Sequence, residues 1–390
     1  MPWNYSEKDP SHDILPSSNG TDFQPSVFIL TGLRGLAGAR MWLSPLLSLM
    51  YIITLAGNCT LLYLVKIERS LWEPQYLFLS MLAGADIGLS ISTLSSVLKV
   101  FIFGHHEIAF DGCLSQLFFI HTFSSTGSGI LLSMAFDRFV AISHPLHYTT
   151  ILTHPRITKM GLAAFVRGIA LMTPLPILLK RLPFCKGQTL SYSYCLHPDV
   201  MKLACGPVKI NIFYGLVLVI CSFVVDSLLI VLSYSLILRS VLGIASREGQ
   251  LKALNTCLSH IFIVLIFYIP HLAITLLHRI SRKSSPLTHA VLGNIYLFMP
   301  PMFNPIIYSL KTKQIRAALQ KSLKVKRILG KAKMTDLWRK LNGDEKQYTF
   351  FTAVHGNPVG LPPPPSMGLI SVLDLVWTPG QFQSGAAQDA

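Results

Sequence analysis

Charged side chains are rare inside the long apolar stretches of this chain, and the few that occur there are the first candidates for chemistry. Asp137 and Arg138 stand side by side at the end of one stretch, and Asp86, Arg167 and Asp226 lie within three others. A carboxylate beside a guanidinium forms an ion pair that can be held or released. We find no nucleophile beside a base and no cluster of metal ligands, which argues against an enzyme.

The composition indicates that these charges lie in a membrane. Apolar residues make up 51% of the 390 residues and charged residues 13%, about half of the roughly 25% usual in soluble proteins. The apolar residues fall in long blocks, so a disordered chain, a disulfide-rich miniprotein and a cytosolic enzyme are disfavoured. Eleven of the 33 Lys and Arg residues lie between Lys311 and Lys340, which favours a tail beside an anionic leaflet over nucleic acid.

Seven blocks are long enough to cross a bilayer, which takes about 20 mostly apolar helical residues. They lie near 43–65, 76–98, 114–137, 160–179, 210–237, 256–278 and 287–309. The seventh contains Pro300, Pro301 and Pro305, which membrane helices tolerate when neighbours satisfy the freed carbonyls. The sequence therefore predicts an all-α membrane protein with a seven-helix bundle over 43–310.

Two features predict the orientation of this bundle. Asn4 and Asn19 begin Asn-X-Ser/Thr glycosylation acceptors ahead of the first span, which suits an extracellular N-terminal segment 1–42. With that orientation, 20 Lys and Arg lie inside, 12 outside and one, Arg167, within a span. The bias agrees with the positive-inside rule. We therefore expect a multi-pass plasma-membrane protein with a cytoplasmic C-terminus.

Four of the seven cysteines fall on the predicted outer side. Cys113 precedes the third span, and Cys185, Cys195 and Cys205 lie in the long loop 180–209. Disulfides persist there. Four cysteines allow three pairings, and the sequence alone leaves them open. We favour Cys113–Cys195, which would fasten the loop over the mouth of the bundle, and Cys185–Cys205, which would tighten the loop on itself.

Three motifs occur in order at the inner ends of predicted helices. Met134–Leu146 reads MAFDRFVAISHPL, Lys252–Ile261 reads KALNTCLSHI, and Asn304–Ser309 reads NPIIYS. Together they closely resemble odorant receptors, a branch of the rhodopsin-like G-protein-coupled receptors. The stretches Phe303–Arg316 and Cys195–Cys205 resemble the fish-like class I subgroup of that family.

The resemblance runs from about Phe28 to Arg327 and implies both fold and function. It implies a rhodopsin-like bundle that binds a small odorant and activates a stimulatory G protein, which raises cyclic AMP. The two charges Arg167 and Asp226 recur in the resembling subgroup, and we expect both to be structural.

The motifs imply a switch at the inner ends of the helices. By resemblance, Arg138 is held by Asp137 at rest and is released to contact a G-protein helix. A cation is also favoured at that helix end by the helix dipole. Tyr234 and Tyr308 are expected to restrain Arg138 in the active state. The Asn304-Pro305 pair supplies a local break that lets the helix end move.

Asp86 resembles the family's sodium-site aspartate, with Asn58 and the Asn304 region as expected partners. The chain departs from the family at Gly127, where odorant receptors usually carry a glutamate. This departure puts sodium binding and the resting network in doubt. A Na⁺ ion near Asp86 is therefore the one cofactor that we consider.

Rhodopsin-like bundles bind small ligands between the outer halves of their spans, and position then selects the candidate contacts. His121 lies eight residues after Cys113, so about 12 Å along the helix. Thr275 and Arg279 lie one turn apart on one face of the sixth span. Three apolar contacts are also expected, from Phe118, Phe123 and Leu272. An arginine in a mostly apolar pocket suits a carboxylate, which predicts a carboxylic acid with a short aliphatic tail as ligand.

The segment after the bundle divides in two. In 311–329, Ile315, Leu319 and Leu323 recur every four residues among Lys and Arg, which predicts an amphipathic helix on the inner leaflet. Residues 330–390 lie beyond the resemblance and are rich in Pro, Gly, Ser and Gln, which predicts a disordered cytoplasmic tail.

Other functions account less well for these features. A seven-span transporter or channel would favour internal repeats and paired broken helices, which we do not find. An opsin would need a lysine in the seventh span, and 287–309 contains none. A receptor-like protein with impaired signalling stays open, because of Gly127 and the atypical tail. We therefore predict an odorant receptor whose partners are an odorant, a stimulatory G protein and membrane lipid, with no nucleic acid and no structural metal.

Overall fold

The computed structural model describes residues 24–31, 40–244, 246–280 and 286–324. The predicted glycosylation sites Asn4 and Asn19, positions 325–329 of the predicted amphipathic helix and the predicted tail 330–390 lie outside these residues.

Long helices form a bundle in the order of the apolar blocks. Their bounds are Arg40–Ile67 (span 1), Pro74–Phe103 (span 2), Phe110–Ser143 (span 3), His154–Lys180 (span 4), Lys209–Leu242 (span 5), Arg247–Ile280 (span 6) and Pro286–Lys311 (span 7). Spans 1 to 6 contain stretches that are long and apolar enough to cross a membrane. Span 7 has 26 residues, enough for about 30 Å of hydrocarbon. The predicted all-α bundle is thereby confirmed.

The helices are longer than predicted and less regular. Span 6 begins at Arg247, nine residues before the predicted 256, because helical hydrogen bonding continues past the apolar block into the polar interface. Span 4 consists of His154–Met172 and Pro174–Lys180, with proline at the junction. Spans 2 and 5 contain π-helical turns at Lys99–Phe103 and Ile220–Val224. Each such turn shifts the helical phase of the residues that follow it.

Span 3 lies at the centre of the bundle and contacts spans 2, 4, 5 and 6. In its most apolar 18-residue window, 72% of the residues are buried inside the protein, against 22% in the corresponding window of span 5. The remaining surface of span 5 carries exposed apolar side chains, as expected for a helix that faces lipid.

A small sheet and two disulfides cover one end of the bundle, which we call the disulfide end. The strand Val27–Leu30 (β1) pairs antiparallel with Glu107–Ala109 (β2) and parallel with Thr189–Leu190 (β3), in the order β2-β1-β3. The two favoured disulfides, Cys113–Cys195 and Cys185–Cys205, are both present. No strand had been predicted here, since the pairings join β1 to segments about 80 and about 160 residues away in sequence.

The opposite end, which we call the Arg138 end, is closed by side chains and short helices. A helix over 313–324 follows span 7. Its Ile315 is buried and its Leu319 packs against the bundle, while Leu323 is 57% exposed. Lys321 Nζ lies 2.8 Å from Glu68 Oε2. The described part of the predicted amphipathic segment therefore packs one apolar face against the bundle.

Candidate functional site

A cavity of about 490 Å³ lies beneath the loop at the disulfide end. It is bounded by spans 3 to 7 and by the short loop helix His197–Lys202. Most lining side chains are apolar, and the polar ones are His121, His197, Asn211, His271, Thr275, His278 and Tyr296. A mostly apolar cavity of this size with a few convergent polar groups is typical of a site for a small molecule.

Two of the predicted ligand contacts, His121 and Thr275, line this cavity. The Thr275 hydroxyl donates to the His271 carbonyl at 2.8 Å, so it offers a ligand only its acceptor lone pairs. The backbone of Arg279 continues the same helix one turn beyond Thr275. The side chain of Arg279 lies outside the described part of the structure.

The other three predicted contacts do not line the cavity. Leu272 is 59% exposed on the outer surface of span 6, because it is rotated by about 100° from its inward-facing neighbour His271. Phe118 is half-buried against the core. Phe123 packs over Gly88 of span 2, where a Cβ would approach its ring too closely. The predicted roles of these three as contacts are therefore not supported.

Sequence reasoning missed most of the polar lining. His197, His271 and Asn211 are each more than nine-tenths buried, and each has one side-chain N or O atom without a hydrogen-bond partner among the described residues. His121 Nε2 is in the same state. A usable signal existed for His197, since it lies two residues after Cys195, which is bonded to the top of the same helix as His121. His271 and Asn211 carry no such signal.

The loop above the cavity is fixed by hydrogen bonds as well as by disulfides. Gln116 Oε1 in span 3 accepts from the Cys195 backbone N–H at 2.9 Å. The Tyr192 hydroxyl lies 2.9 Å from His278 Nε2, and the Tyr194 hydroxyl donates to the Gly293 carbonyl at 2.7 Å. The loop is thereby joined to spans 3, 6 and 7.

His197 is held neutral by its surroundings. Burial lowers the pKa of His197 from 6.5 to about 4, against a smaller opposing effect of its hydrogen bond with Asn211. A neutral imidazole presents one donor and one acceptor, so this side of the cavity recognises hydrogen-bonding groups rather than repelling cations.

At the Arg138 end, the predicted ion pair is present. Arg138 Nε and Nη2 donate to Asp137 Oδ2 at 2.9 and 2.5 Å, and Nη2 also donates to Gln75 Oε1 at 2.9 Å. The Tyr148 hydroxyl donates to Asp137 Oδ1 at 2.7 Å. Burial, together with the Asp137 carboxylate, raises the pKa of Tyr148 and keeps it a donor. Gln75 and Tyr148 were not predicted.

The two tyrosines expected to restrain Arg138 bind other groups in this arrangement. The Tyr234 hydroxyl lies 2.5 Å from His260 Nδ1 of span 6. The Tyr308 hydroxyl lies 4.0 Å from Met134 Sδ. With Arg138 bonded to Asp137 instead, the geometry corresponds to the resting arrangement expected of the switch.

The polar centre of the bundle joins spans 1, 2 and 7. Asn304 Nδ2 donates to Asp86 Oδ2 at 2.8 Å, as expected. Asn58 Nδ2 instead donates to the Pro301 carbonyl at 2.9 Å, and it forms no hydrogen bond with Asp86 in the described part of the chain. Pro305 has no N–H to offer the carbonyl four residues earlier. Asn58 therefore satisfies the carbonyl that Pro305 leaves free.

Gly127 faces span 6 without supplying any ligand. A Cβ at this position would lie 3.4 Å from the Phe267 ring, which is an ordinary van der Waals contact. Asp86 is thus without the second carboxylate that the family resemblance implies. Among the residues that the structure describes, no group of three His, Cys, Asp or Glu is placed to hold a metal ion.

Arg167 and Asp226 turn out to pair with each other. Arg167 Nη1 and Nη2 lie 2.7 and 2.6 Å from the two Asp226 oxygens. The Ser128 hydroxyl lies 2.8 Å from Asp226 Oδ2 and 2.7 Å from the Tyr268 hydroxyl. The ion pair between spans 4 and 5 is thus connected to spans 3 and 6. Their opposite charges in consecutive spans were the available signal.

Comparison with known proteins identifies the relatives of this chain. A family model described as olfactory receptor matches residues 47–326. Human olfactory receptor 51I1 is 51% identical over 303 residues, which cover 78% of this chain and 96% of that receptor. Human olfactory receptor 51G2 is 52% identical over 298 residues, covering 76% and 95%. Human olfactory receptor 51E1 is 51% identical over 304 residues, covering 78% and 95%.

Proposed function

Since the chain belongs to the olfactory receptor family, we propose that it binds a small organic acid in the cavity at the disulfide end and responds by activating a stimulatory G protein. The family implies an odorant ligand and G-protein coupling in general, and its members are receptors rather than enzymes. The acid, the G-protein subtype and the rise in cyclic AMP are our additions.

The composition of the cavity carries the proposal for an acid. Among its described lining residues are four histidines, an asparagine, a threonine and a tyrosine, and no aspartate or glutamate. Such a lining offers an anion hydrogen-bond donors and no like charge. We assign the carboxylate to Arg279, which follows Thr275 by one turn in the same helix, because a guanidinium can hold a carboxylate with paired hydrogen bonds. The remaining apolar lining suits a short aliphatic tail.

A cyclic AMP assay with a panel of carboxylic acids, alcohols and steroids tests this function. In transfected cells, we expect a response to acids that Arg279→Ala abolishes while surface labelling stays unchanged. Arg279→Lys should respond weakly, because it keeps the charge but loses the paired geometry. Arg181→Ala removes an exposed arginine from the same end, outside the cavity, and should respond normally. Unchanged potency in Arg279→Ala would eliminate the anion site.

The proposed orientation places the disulfide end outside the plasma membrane and the Arg138 end in the cytoplasm. It is supported by the two disulfides, which persist in oxidising surroundings, and by the excess of Lys and Arg in the C-terminal segment. Epitope tags at the two termini should be accessible on opposite sides of intact cells. Glycosidase treatment should shift the mobility of the protein, and Asn4→Gln with Asn19→Gln should remove that shift.

A receptor-like protein with impaired signalling is the second candidate, and Gly127 is the observation that favours it. The position lacks the carboxylate expected beside Asp86, so we propose that Na⁺ binds there weakly at best. In this case surface labelling detects the protein on the cell, but no compound of the panel produces a cyclic AMP response. Gly127→Glu should then restore both a response and its sensitivity to sodium. A normal response of the unmodified chain would eliminate this second candidate.

A further inference from the structure

A second cavity, of about 400 Å³, lies at the disulfide end between spans 2 and 3, and we call it the outer groove. It shares no lining residue with the ligand cavity. Lys99, His105 and Glu107 line it together with three serines. We propose that the outer groove binds the zwitterionic headgroup of a phospholipid, with the phosphate at Lys99 and His105 and the ammonium group at Glu107.

One face of span 2 forms a polar wall of the groove. Ser92, Ser95, Ser96 and Lys99 are spaced three, four and seven residues apart, which places them on the same side of a helix. Such a polar stripe is unusual for a membrane helix, where polar groups normally face the bundle interior or a water-filled cavity.

The end of span 2 folds back so that two further polar residues reach Lys99. The helix becomes π-helical at Lys99 and stops at Gly104, whose φ of 69° lies in the left-handed region that favours glycine. The backbone N–H of His105 then donates to the Lys99 carbonyl at 3.1 Å. Glu107 follows in β2, where it is exposed and pairs through its backbone with β1. The sheet packs against span 3 and fixes the position of Glu107 relative to that span.

The charges in the groove are not neutralised by neighbours. Among the residues that the structure describes, neither Lys99 nor Glu107 takes part in an ion pair within 4.0 Å, including one with the other. Two opposite charges that line one cavity without pairing suit a ligand that itself carries both signs. A lysine is a well-suited point charge for a phosphate, and a histidine N–H adds a donor.

The floor of the groove is rigid. Gln116 Nε2 donates to the Ser96 hydroxyl at 2.8 Å and to the Ser92 carbonyl at 2.9 Å. Its oxygen accepts from the Cys195 N–H, so the disulfide-bonded loop holds this side chain in place. A preorganised polar floor reduces the entropy lost when a headgroup binds.

The outer surface of spans 2 and 3 indicates that the occupant is a lipid. Phe119, which lines the groove, is 47% exposed, and Ile91, eight residues before Lys99 and therefore deeper in span 2, is 57% exposed. Lys99 is four residues from the end of span 2, or about 6 Å along the helix axis, so it lies near the membrane boundary that the length of the span implies. Acyl chains can therefore follow these apolar side chains while the headgroup enters the groove. The inference uses the membrane insertion proposed above, and the orientation decides only which leaflet supplies the lipid.

Native mass spectrometry of the purified full-length receptor, titrated with phosphatidylcholine, tests the site. We expect one lipid to bind with an affinity that falls at least fivefold in Lys99→Ala and is kept in Lys99→Arg. Glu107→Gln should weaken phosphatidylcholine but not phosphatidylglycerol, which carries no ammonium group. Lys209→Ala removes another exposed lysine at the disulfide end and should bind as the unmodified protein does.

Competition identifies the source of the ligand. If soluble phosphocholine displaces the lipid at equal concentration, the groove recognises the free zwitterion; if a large excess is needed, it recognises the lipid. The proposal would be overturned if Lys99→Ala and the unmodified receptor bound phosphatidylcholine with equal affinity. It would also be overturned if the receptor preferred phosphatidylglycerol and Glu107→Gln left that preference unchanged. The assay needs neither an odorant nor a G protein, so its failure is distinct from a failure of the proposed function. Melting temperatures of the variants verify that each is folded.

Discussion

The two ends of the bundle are held together by different kinds of interaction. At the disulfide end, two disulfides, a three-stranded sheet and the edge-to-face contacts of Phe184 with Phe28 and Phe110 fasten loops to helices. At the Arg138 end, apolar packing and hydrogen bonds and ion pairs between side chains, such as Arg138 with Asp137 and Gln75, hold the helices together. The first end is covalently constrained, and the second is not.

The difference indicates which end can move when a ligand binds. A disulfide typically contributes about 2–4 kcal/mol, whereas a side-chain hydrogen bond contributes about 1 kcal/mol net. Exchanging the partners of Arg138 or Tyr234 therefore costs little, because each bond lost can be replaced by another. The disulfide end keeps the cavity in shape, while the Arg138 end has the freedom to change partners.

Removing the central cation of the Arg138 end should have the largest effect on function. In Arg138→Ala we expect the cyclic AMP response to an activating acid to fall by at least about 100-fold, because the group expected to contact the G protein is lost. Surface labelling should stay within about twofold, since no disulfide is affected. Arg69→Ala, an exposed arginine at the same end, serves as the control. A full response by Arg138→Ala would show that this end does not act through Arg138.

Breaking the disulfides should have the opposite effect to Arg138→Ala. The amount of folded protein should fall, while the protein that remains folded should still activate the G protein. The residues of Cys113–Cys195 are 82 apart and those of Cys185–Cys205 are 20 apart, which by loop entropy corresponds to about 4.5 and about 3.3 kcal/mol. We therefore expect Cys113→Ser with Cys195→Ser to lower the melting temperature and surface labelling more than Cys185→Ser with Cys205→Ser. The unpaired Cys59 provides the control Cys59→Ser. Equal melting temperatures in all three would contradict the covalent constraint.

The Arg167–Asp226 pair lies between the two ends of the bundle. It tests whether an ion pair can stabilise the bundle as strongly as a disulfide does. Asp226 is 1% exposed and Arg167 31% exposed, so Asp226→Leu leaves a guanidinium partly buried without its carboxylate. We expect a loss of about 3 kcal/mol, measured by melting temperature. Arg167→Met combined with Asp226→Leu should lose less than Asp226→Leu alone. Additive losses would mean that the two charges do not depend on each other.

The sequence predicted the parts of this fold that are local or repeated. Apolar blocks of about 20 residues identified the spans, and the cysteines on one predicted side led to the pairs that are present. The sheet was not predicted, because β1 pairs with residues about 80 and 160 positions away and such pairing leaves no periodic signal. Helix bounds were short, because helices continue beyond the apolar residues.

The site was predicted only in part, for a related physical reason. His121 and Thr275 line the cavity as expected, because their depth along a helix follows from residue spacing. Leu272 does not line the cavity, because depth does not determine the direction in which a side chain points. The π-helical turn Ile220–Val224 rotates the rest of span 5, and the inward face of that span cannot be read from spacing alone. Asn211 lies ahead of that turn and His271 lies in span 6, and both were missed because residue spacing alone does not show that they face the cavity.

The smallest expected effect concerns protonation at the otherwise rigid disulfide end. Burial lowers the pKa of His197 from 6.5 to about 4, so the folded protein binds this proton less readily than the unfolded chain does. Above about pH 6.5, His197 therefore does not lower the free energy of unfolding. As the pH falls from 6.5 towards 4, the free energy of unfolding decreases progressively. Between pH 7.5 and 5.5 this amounts to about 1 kcal/mol.

Melting temperatures of the purified receptor against pH check this, with His197→Asn as the comparison. His197 faces Asn211 and His121, and the nearby Asp199 titrates below this range in the unfolded chain. These groups are present in both proteins, and His121 interacts electrostatically with His197, so the difference between the two pH profiles reports His197 together with its effect on His121. We expect His197→Asn to lose less stability than the unmodified receptor as the pH falls from 7.5 to 5.5. Parallel profiles would mean that His197 has the same pKa in the folded and the unfolded protein. The disulfide end would then not be rigid enough to exclude water from this side chain.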